Sequence, residues 1–289
     1  MGGNIGALAI VDNQYKVHFY AASTPPTEIQ LLDYFISPEL TVTMERLFGS
    51  ETRLSTSLPE VIAMLYGDIV TIVNLPDIAN NVELKRYIKC GLVLRNETGA
   101  MKFTNAMSRR FFIYKTYPRT ATSNPTNSID LVINSIRKIS ATTLVNSVVE
   151  SGFPKEAVFQ HLIMSGMTAN LTAQTHVYPE NSRVIGTDNK IKGELDFFIN
   201  GELRWGIELL IQGRKLKEHR ARFIGNGRYV NLTCREYVVV DFRGNLTGKP
   251  KKLVTGKDNV ITVYLKLNDY RKAMCLLPDE SFFEVDLSN

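Results

Sequence analysis

Residues 192–223 read KGELDFFINGELRWGIELLIQGRKLKEHRARF, and the fold turns on them. Two short apolar runs, 195–199 and 205–211, flank Asn200-Gly201, the strongest short hairpin signal in the chain. They predict two paired central strands, with GRKLKEHRARF as the helix that follows directly. In the first run Asp196 is an acid among apolar residues; in the second, Glu208 stands alone among Trp205, Ile207, Leu209 and Ile211. Carboxylates on such strands are expensive to bury unpaired and need a cation. That cation is either a side chain, with Lys192, Arg204 and Arg214 as candidates, or a divalent metal. Oxygen ligands of this kind suit Mg²⁺ or Mn²⁺. Such an ion activates water and stabilises charge developing on phosphorus.

Upstream, FPKEAVFQHLIMSGM (153–167) predicts a helix with Pro154 at its first position and a buried stripe through Val158, Leu162 and Ile163. Glu156 and Gln160, four apart, share another face, and Glu156 is a further acid for the site. THVYPENSRVIG (175–186) reads as strand, as do EYVVVDFR (236–243) and NVITVYLKL (259–267). Between Arg214 and Arg222 lie five cations and a histidine in nine residues. At 3.6 residues per turn Lys215, His219 and Arg222 share a face suited to a nucleic-acid backbone. The alternative is a solvated charged helix in which Glu218 pairs locally. His219 reads as a phosphate or structural contact ahead of a general base, and Trp205 as a core anchor.

The order helix with Glu156, strand with Asp196, hairpin to a strand with Glu208, then a helix resembles the PD-(D/E)xK restriction-endonuclease-like superfamily. The resemblance implies an α/β domain with a mixed central sheet flanked by helices, and Mg²⁺ (or Mn²⁺) held by Asp196 and Glu208. Glu156 is then the helix acid. The superfamily's lysine belongs two residues after the second acid, where this chain has Leu210; Lys215, at the start of the next helix, is the candidate replacement. Gln160, Gln212, Arg214, His219 and Arg222 become the nucleic-acid contacts, with DNA ahead of RNA. More narrowly, GFPKEAVFQHL, GELDFFINGELRWGIELL, GRKLKEHRARF and EYVVVDFR, with the upstream MKFTNAMSRRFF and YPRTA, look like the C-terminal part of fungal Crinkler-type proteins. That likeness implies an ATPase module followed by the nuclease domain, and an effector delivered into host cells. The chain has no GxxxxGK[ST], so no phosphate-cradling loop for ATP is expected, and an ATPase or host protein becomes a candidate partner. A catalytically inactive domain of the same fold, binding nucleic acid or a protein, is the rival function, and Leu210 is its main support.

Earlier in the chain, NNVELKRYIKCG (80–91) predicts a helix, and LVLRNETGAMKFTN (92–105) two β-rich runs around the turn residues Asn96–Gly99, followed by AMSRRFFIYKTYP (106–118). Helix, hairpin and polar-aromatic segment make a winged-helix-like α+β module in which Lys85, Arg86, Lys89, Lys102, Arg109 and Arg110 suit phosphates, although a packing or regulatory module inside a larger assembly is the reading ahead of direct DNA contact. TATSNPTN (120–127) reads as a linker; beyond it Ile129, Val132, Ile133 and Ile136 form a helical stripe with Ser128 as N-cap. The expected division is an α+β extension at 1–65 with a helix through Glu28–Phe35, the winged-helix-like module at 66–120 as an ATPase remnant, a helical connector at 121–150 and the nuclease domain at 151–289.

Composition bounds these readings. The 289 residues are 44% hydrophobic and 22% charged, enough for a sizeable core and against disorder. A net charge of +5 and a pI near 9.0 favour a polyanionic partner. Cys90, Cys234 and Cys275 are too few and too far apart for a disulfide framework or a zinc site, which fits an intracellular, reducing compartment. No apolar run reaches the roughly 18–20 residues of a membrane span, and no signal peptide or myristoylation motif is expected. Sequons at Asn96, Asn170, Asn231 and Asn245, and a basic loop at Lys249–Lys257, carry no further weight.

Overall fold

The computed structural model describes residues 70–71, 82–95, 100–104, 106–117, 119–148, 152–172, 175–184, 191–227, 229, 234–244, 259–267 and 269–288, with positions 42 and 44. The helix expected at 28–35, the turn at 96–99, the basic loop at 249–257 and the sequons at Asn96, Asn231 and Asn245 lie outside them. The chain divides into two compact units, 1–118 and 119–289.

In the first unit, β1 (Val70–Thr71) and β2 (Val93–Arg95) pair antiparallel on either side of β3 (Ala100–Phe103). Helix α1 (Val82–Lys89) precedes β2, and α2 (Ala106–Thr116) follows β3. Leu84 and Tyr87, three apart on α1, are buried, as are Leu92, Met101 and Phe112. Phe112 of α2 meets Phe103 of β3 with ring centroids 5.4 Å apart. The expected helix and β-pair are therefore present, and the polar-aromatic segment that follows is itself a helix.

The second unit is a mixed α/β layer. Helices α3 (Ser128–Ile136), α4 (Ala141–Asn146) and α5 (Glu156–Ala169) lead into β4 (Val177–Val184), β5 (Ile191–Ile199) and β6 (Trp205–Ile211). A short α6 (Leu216–Ala221) joins β6 to β7 (Glu236–Gly244), and β8 (Val260–Leu265), β9 (Lys272–Leu276) and β10 (Phe282–Asp286) complete the unit. The seven strands lie in the order β10-β9-β8-β7-β6-β5-β4, with β6, β7 and β8 parallel and the outer pairs antiparallel. Parallel strands are covered on both faces. Six consecutive residues of β6, Trp205–Leu210, are accordingly buried, and Trp205 is the core anchor its apolar neighbours suggest.

The segment read as a connector is part of this unit. Leu131, Val132, Ile133 and Ile136 of α3 are buried, and α3 packs against α5 so closely that a Cβ on Gly166 would lie 2.6 Å from the Ser135 carbonyl oxygen. Gly166→Ala is therefore expected to destabilise by about 1–3 kcal/mol through overpacking, read as a lower midpoint in thermal unfolding. Asn127, not Ser128, caps α3, its side chain accepting the Asp130 N–H at 2.8 Å. Ser128 instead donates both its N–H and its hydroxyl to Glu236 Oε2, at 2.9 and 2.8 Å, tying α3 to β7.

Two further differences from the sequence reading concern ends of elements. Helix α5 begins at Glu156 after Lys155, with Pro154 bridged to Val148 ahead of it; its buried face runs through Phe159, Leu162, Ile163 and Met167. Asn200-Gly201 opens a five-residue connection, 200–204, in place of a two-residue turn. The buried Asn200 side chain is used elsewhere, accepting the His176 N–H at 2.7 Å. Strands β9 and β10 carry no alternation clear enough to announce them in sequence.

Candidate active site

Strands β5 and β6 pair through Ile199/Trp205, Phe198/Gly206 and Phe197/Ile207, and the ladder stops there. Continuing that register by one pair sets Asp196 opposite Glu208. Asp196 Oδ2 accepts the Leu209 N–H at 2.6 Å, and Oδ1 accepts Gln160 Nε2–H, reaching down from α5, at 2.8 Å. Burial lifts the Asp196 carboxyl well above its ordinary range, the Glu208 and Glu156 charges push the same way, and the two hydrogen bonds only partly offset them.

Glu208 is 2% exposed. Its Oε1 accepts from three donors: Arg222 Nη1 at 2.6 Å, His219 Nδ1 at 2.6 Å and the Tyr229 hydroxyl at 3.2 Å. Because a carboxylate accepts only, the contact assigns the His219 proton to Nδ1. Oε2 is also buried, and no described residue bonds to it. Burial and then the Glu208 charge raise the Tyr229 phenol, which is held protonated as a donor. Glu156, exposed on the first turn of α5, completes the acidic group. Partial desolvation raises its carboxyl first; Glu208 adds to this, while His219 and Arg214 draw it down.

Beside these acids opens a cavity of about 660 Å³ whose lining includes Lys155, Glu156, Gln212, Arg214, Lys215 and His219, with Leu210 in its wall. Three cations, His219 and one acid, Glu156, thus face one space, while Asp196 and Glu208 lie outside its lining. The loop that carries them is tightly built. Gln212, Gly213 and Lys215 all have left-handed φ angles, 58°, 67° and 55°. Gly213 donates its N–H to Asp241 Oδ1 at 2.8 Å, and Arg243 donates to Asp241 Oδ2 through Nε and Nη2, both at 2.6 Å. A Cβ at Gly213 would lie 2.6 Å from Arg243 Nη2, so both its φ and its neighbour demand glycine.

The structure brings Glu156, Gln160, Asp196, Glu208, His219 and Arg222 together, with the roles of several redistributed. Gln160 is bonded to Asp196 at its amide nitrogen. Arg222 and His219 turn inward to Glu208 in place of the expected Arg204 or Arg214; the Lys192 side chain is not among the described ones. Helix α6 is only six residues long, so Lys215 precedes it, and its exposed ammonium pairs with Glu218 at 3.8 Å. Leu210 packs with Val239, Val260, Leu216 and Phe223, filling the position of the superfamily's lysine with core. Gln212 accepts from the Gly244 N–H at 3.4 Å, and Arg214 is exposed at the cavity. Tyr229 escaped the sequence reading: it stands seven residues beyond Arg222, past a Gly-Asn-Gly turn, where no periodicity points to it.

The donor set fits an oxygen-loving cation. Asp196, Glu208 and Glu156 are all carboxylates, and Glu208 Oε2 is a buried oxygen with no donor among the described residues. Among the described residues no group of three or more His, Cys, Asp or Glu is placed to hold a metal ion together. No helix among them is long and apolar enough to cross a membrane. All three cysteines are free thiols. No family model, curated protein or solved structure matches the chain.

Proposed function

We propose that residues 119–289 are a metal-dependent nuclease domain of the restriction-endonuclease-like kind, hydrolysing phosphodiester bonds of DNA, with RNA as the second candidate. The observation that carries this reading is the placing of Asp196 and Glu208 on adjacent strands beside Glu156, with a buried Glu208 oxygen left without a partner among the described residues. The order α5, β4, β5, β6, α6, β7, with an acid on α5, β5 and β6, supports it. Asp196 and Glu208 would hold Mg²⁺ or Mn²⁺, which when bound supplies an activated water and stabilises charge on phosphorus. Gln160 orients Asp196, and Lys155, Arg214 and Lys215 meet the phosphate at the cavity. By the same resemblance the domain belongs to a Crinkler-like effector or toxin acting in a reducing intracellular compartment of a host. The first unit, helix, small antiparallel sheet and helix, is its winged-helix-like remnant of an ATPase.

A second reading has its own observations. Leu210 occupies the lysine position, and Arg222 already neutralises Glu208; both favour an inactive domain that binds nucleic acid or a protein partner. Incubation of the purified protein with plasmid DNA and Mg²⁺ or Mn²⁺, beside Asp196→Ala, separates the two. Metal-dependent cutting that vanishes in the variant is expected. A folded protein that binds DNA in a salt-sensitive way yet never cuts it establishes the second reading.

A further inference from the structure

Glu208 and Arg222 form a pair that is unsatisfied on both sides. Three donors crowd onto Glu208 Oε1 while Oε2, also buried, has none among the described residues. On the cationic side, Arg222 Nε is likewise buried without a partner among the described residues. Buried polar networks are stable when every member is bonded, and two orphans in one ion pair mark an arrangement that a ligand completes. The pair also has a way to open. Arg222 follows the last residue of α6, its side chain is 18% exposed, and Nη2 already reaches Glu218 Oε1 at 3.3 Å. Glu218 is 49% exposed, so a second carboxylate waits at the surface to receive the guanidinium.

We propose that Arg222 is a resident counter-ion for Glu208, which it leaves for Glu218 and the cavity when a divalent cation binds Glu208. The proposal rests on the metal-dependent reading above and adds that the vacant protein holds its own cation in the metal's place. Arg222 and the metal therefore compete for one carboxylate. Once released, the guanidinium lies beside a cavity already lined by Arg214 and Lys215, where a phosphate is its natural partner. The site would then gain its anion-binding arginine only when the metal is present.

The test uses the full chain and Mn²⁺ alone, with affinity read by calorimetry and by the electron paramagnetic resonance signal of free Mn²⁺. Arg222→Met, which keeps the bulk and removes the charge, is expected to bind Mn²⁺ at least about tenfold more tightly than the unaltered protein. Glu208→Gln is expected to abolish binding in either background. Because Arg222→Met leaves a buried carboxylate without its counter-ion, Arg222→Lys is the companion variant. Its shorter, single-pronged cation is expected to give an intermediate affinity. In the unaltered protein, a Mg²⁺ titration followed by NMR should shift the Arg222 Nε–H signal, and should not in Glu208→Gln. Equal Mn²⁺ affinity with and without the arginine, or an unmoved Nε–H signal on metal binding, overturns the competition while leaving the metal site standing. Absence of Mn²⁺ binding in every protein removes the metal site itself, and the counter-ion role with it.

Discussion

Asp196→Asn is expected to lower metal-dependent cleavage at least about 100-fold and, in the same protein, to raise the thermal midpoint at neutral pH. The two effects share a cause. Burial, then the Glu208 and Glu156 charges, raise the Asp196 carboxyl in the folded state, so folding favours its protonated form. A group whose pKa is raised on folding contributes stability that is fully present below its unfolded value and is lost as pH rises through the folded one. As pH rises from the unfolded value toward the raised folded one that contribution declines, whereas asparagine has no charge to desolvate. Its oxygen can still accept the Leu209 N–H, and a flip of the Gln160 amide satisfies its nitrogen. The midpoint difference between variant and unaltered protein should accordingly widen from about pH 4 to pH 8. A variant no more stable than the parent at pH 8 would show that Asp196 is comfortable where it sits, and that no functional strain is stored there.

The other large effect is structural. Arg243→Met is expected to cost about 3–5 kcal/mol at neutral pH, because it strands the fully buried Asp241 without a counter-ion. Asp241 is raised by burial and held back by Arg243 and by the Gly213 N–H. Without the guanidinium the protonated form gains, so the deficit should shrink as pH falls. Asp241 also anchors the left-handed loop at Gly213, which carries Arg214 and Lys215 at the cavity, so substrate affinity should weaken together with stability. Urea unfolding at about pH 7 and pH 4.5 measures the first effect, and salt-dependent DNA binding the second. Adding Asp241→Asn should recover much of the loss, since an amide there needs no cation yet still accepts the Gly213 N–H.

The parts of this architecture that were legible in sequence follow from periodicity and from misplaced charge. Asp196 and Glu208 stand out because an acid inside an apolar strand is costly, and Glu156 and Gln160 share a helical face; the structure puts all four within one site. What pattern could not supply is who neutralises whom. Arg204, Arg214 and Lys192 are nearer to the two acids along the chain or strand, yet it is Arg222, at the end of α6, and Tyr229 beyond it that reach Glu208. A helix expected across 213–223 would have put Lys215, His219 and Arg222 on a common outward face. The observed six-residue helix, entered through a left-handed Lys215, parts Lys215 from the other two. Backbone conformation of that kind depends on Asp241 and Arg243, some thirty residues away, and leaves no local trace. The same holds for the segment 128–136, whose apolar stripe was plain but whose partner, α5, was not.

The separations along the chain add a kinetic consequence. Glu208 meets His219, Arg222 and Tyr229 at 11, 14 and 21 residues, whereas Ser128 reaches Glu236 across 108 and Ser288 reaches Ile139 across 149. Loop-closure entropy grows with contour length, so the short loops close first and the long ties close last. Folding is therefore expected to assemble the charged cluster early, inside a single strand-helix crossover, and to clasp it late by joining the two ends of the unit. Substitutions in the cluster should then alter the folding rate, and substitutions in the clasp mainly the unfolding rate.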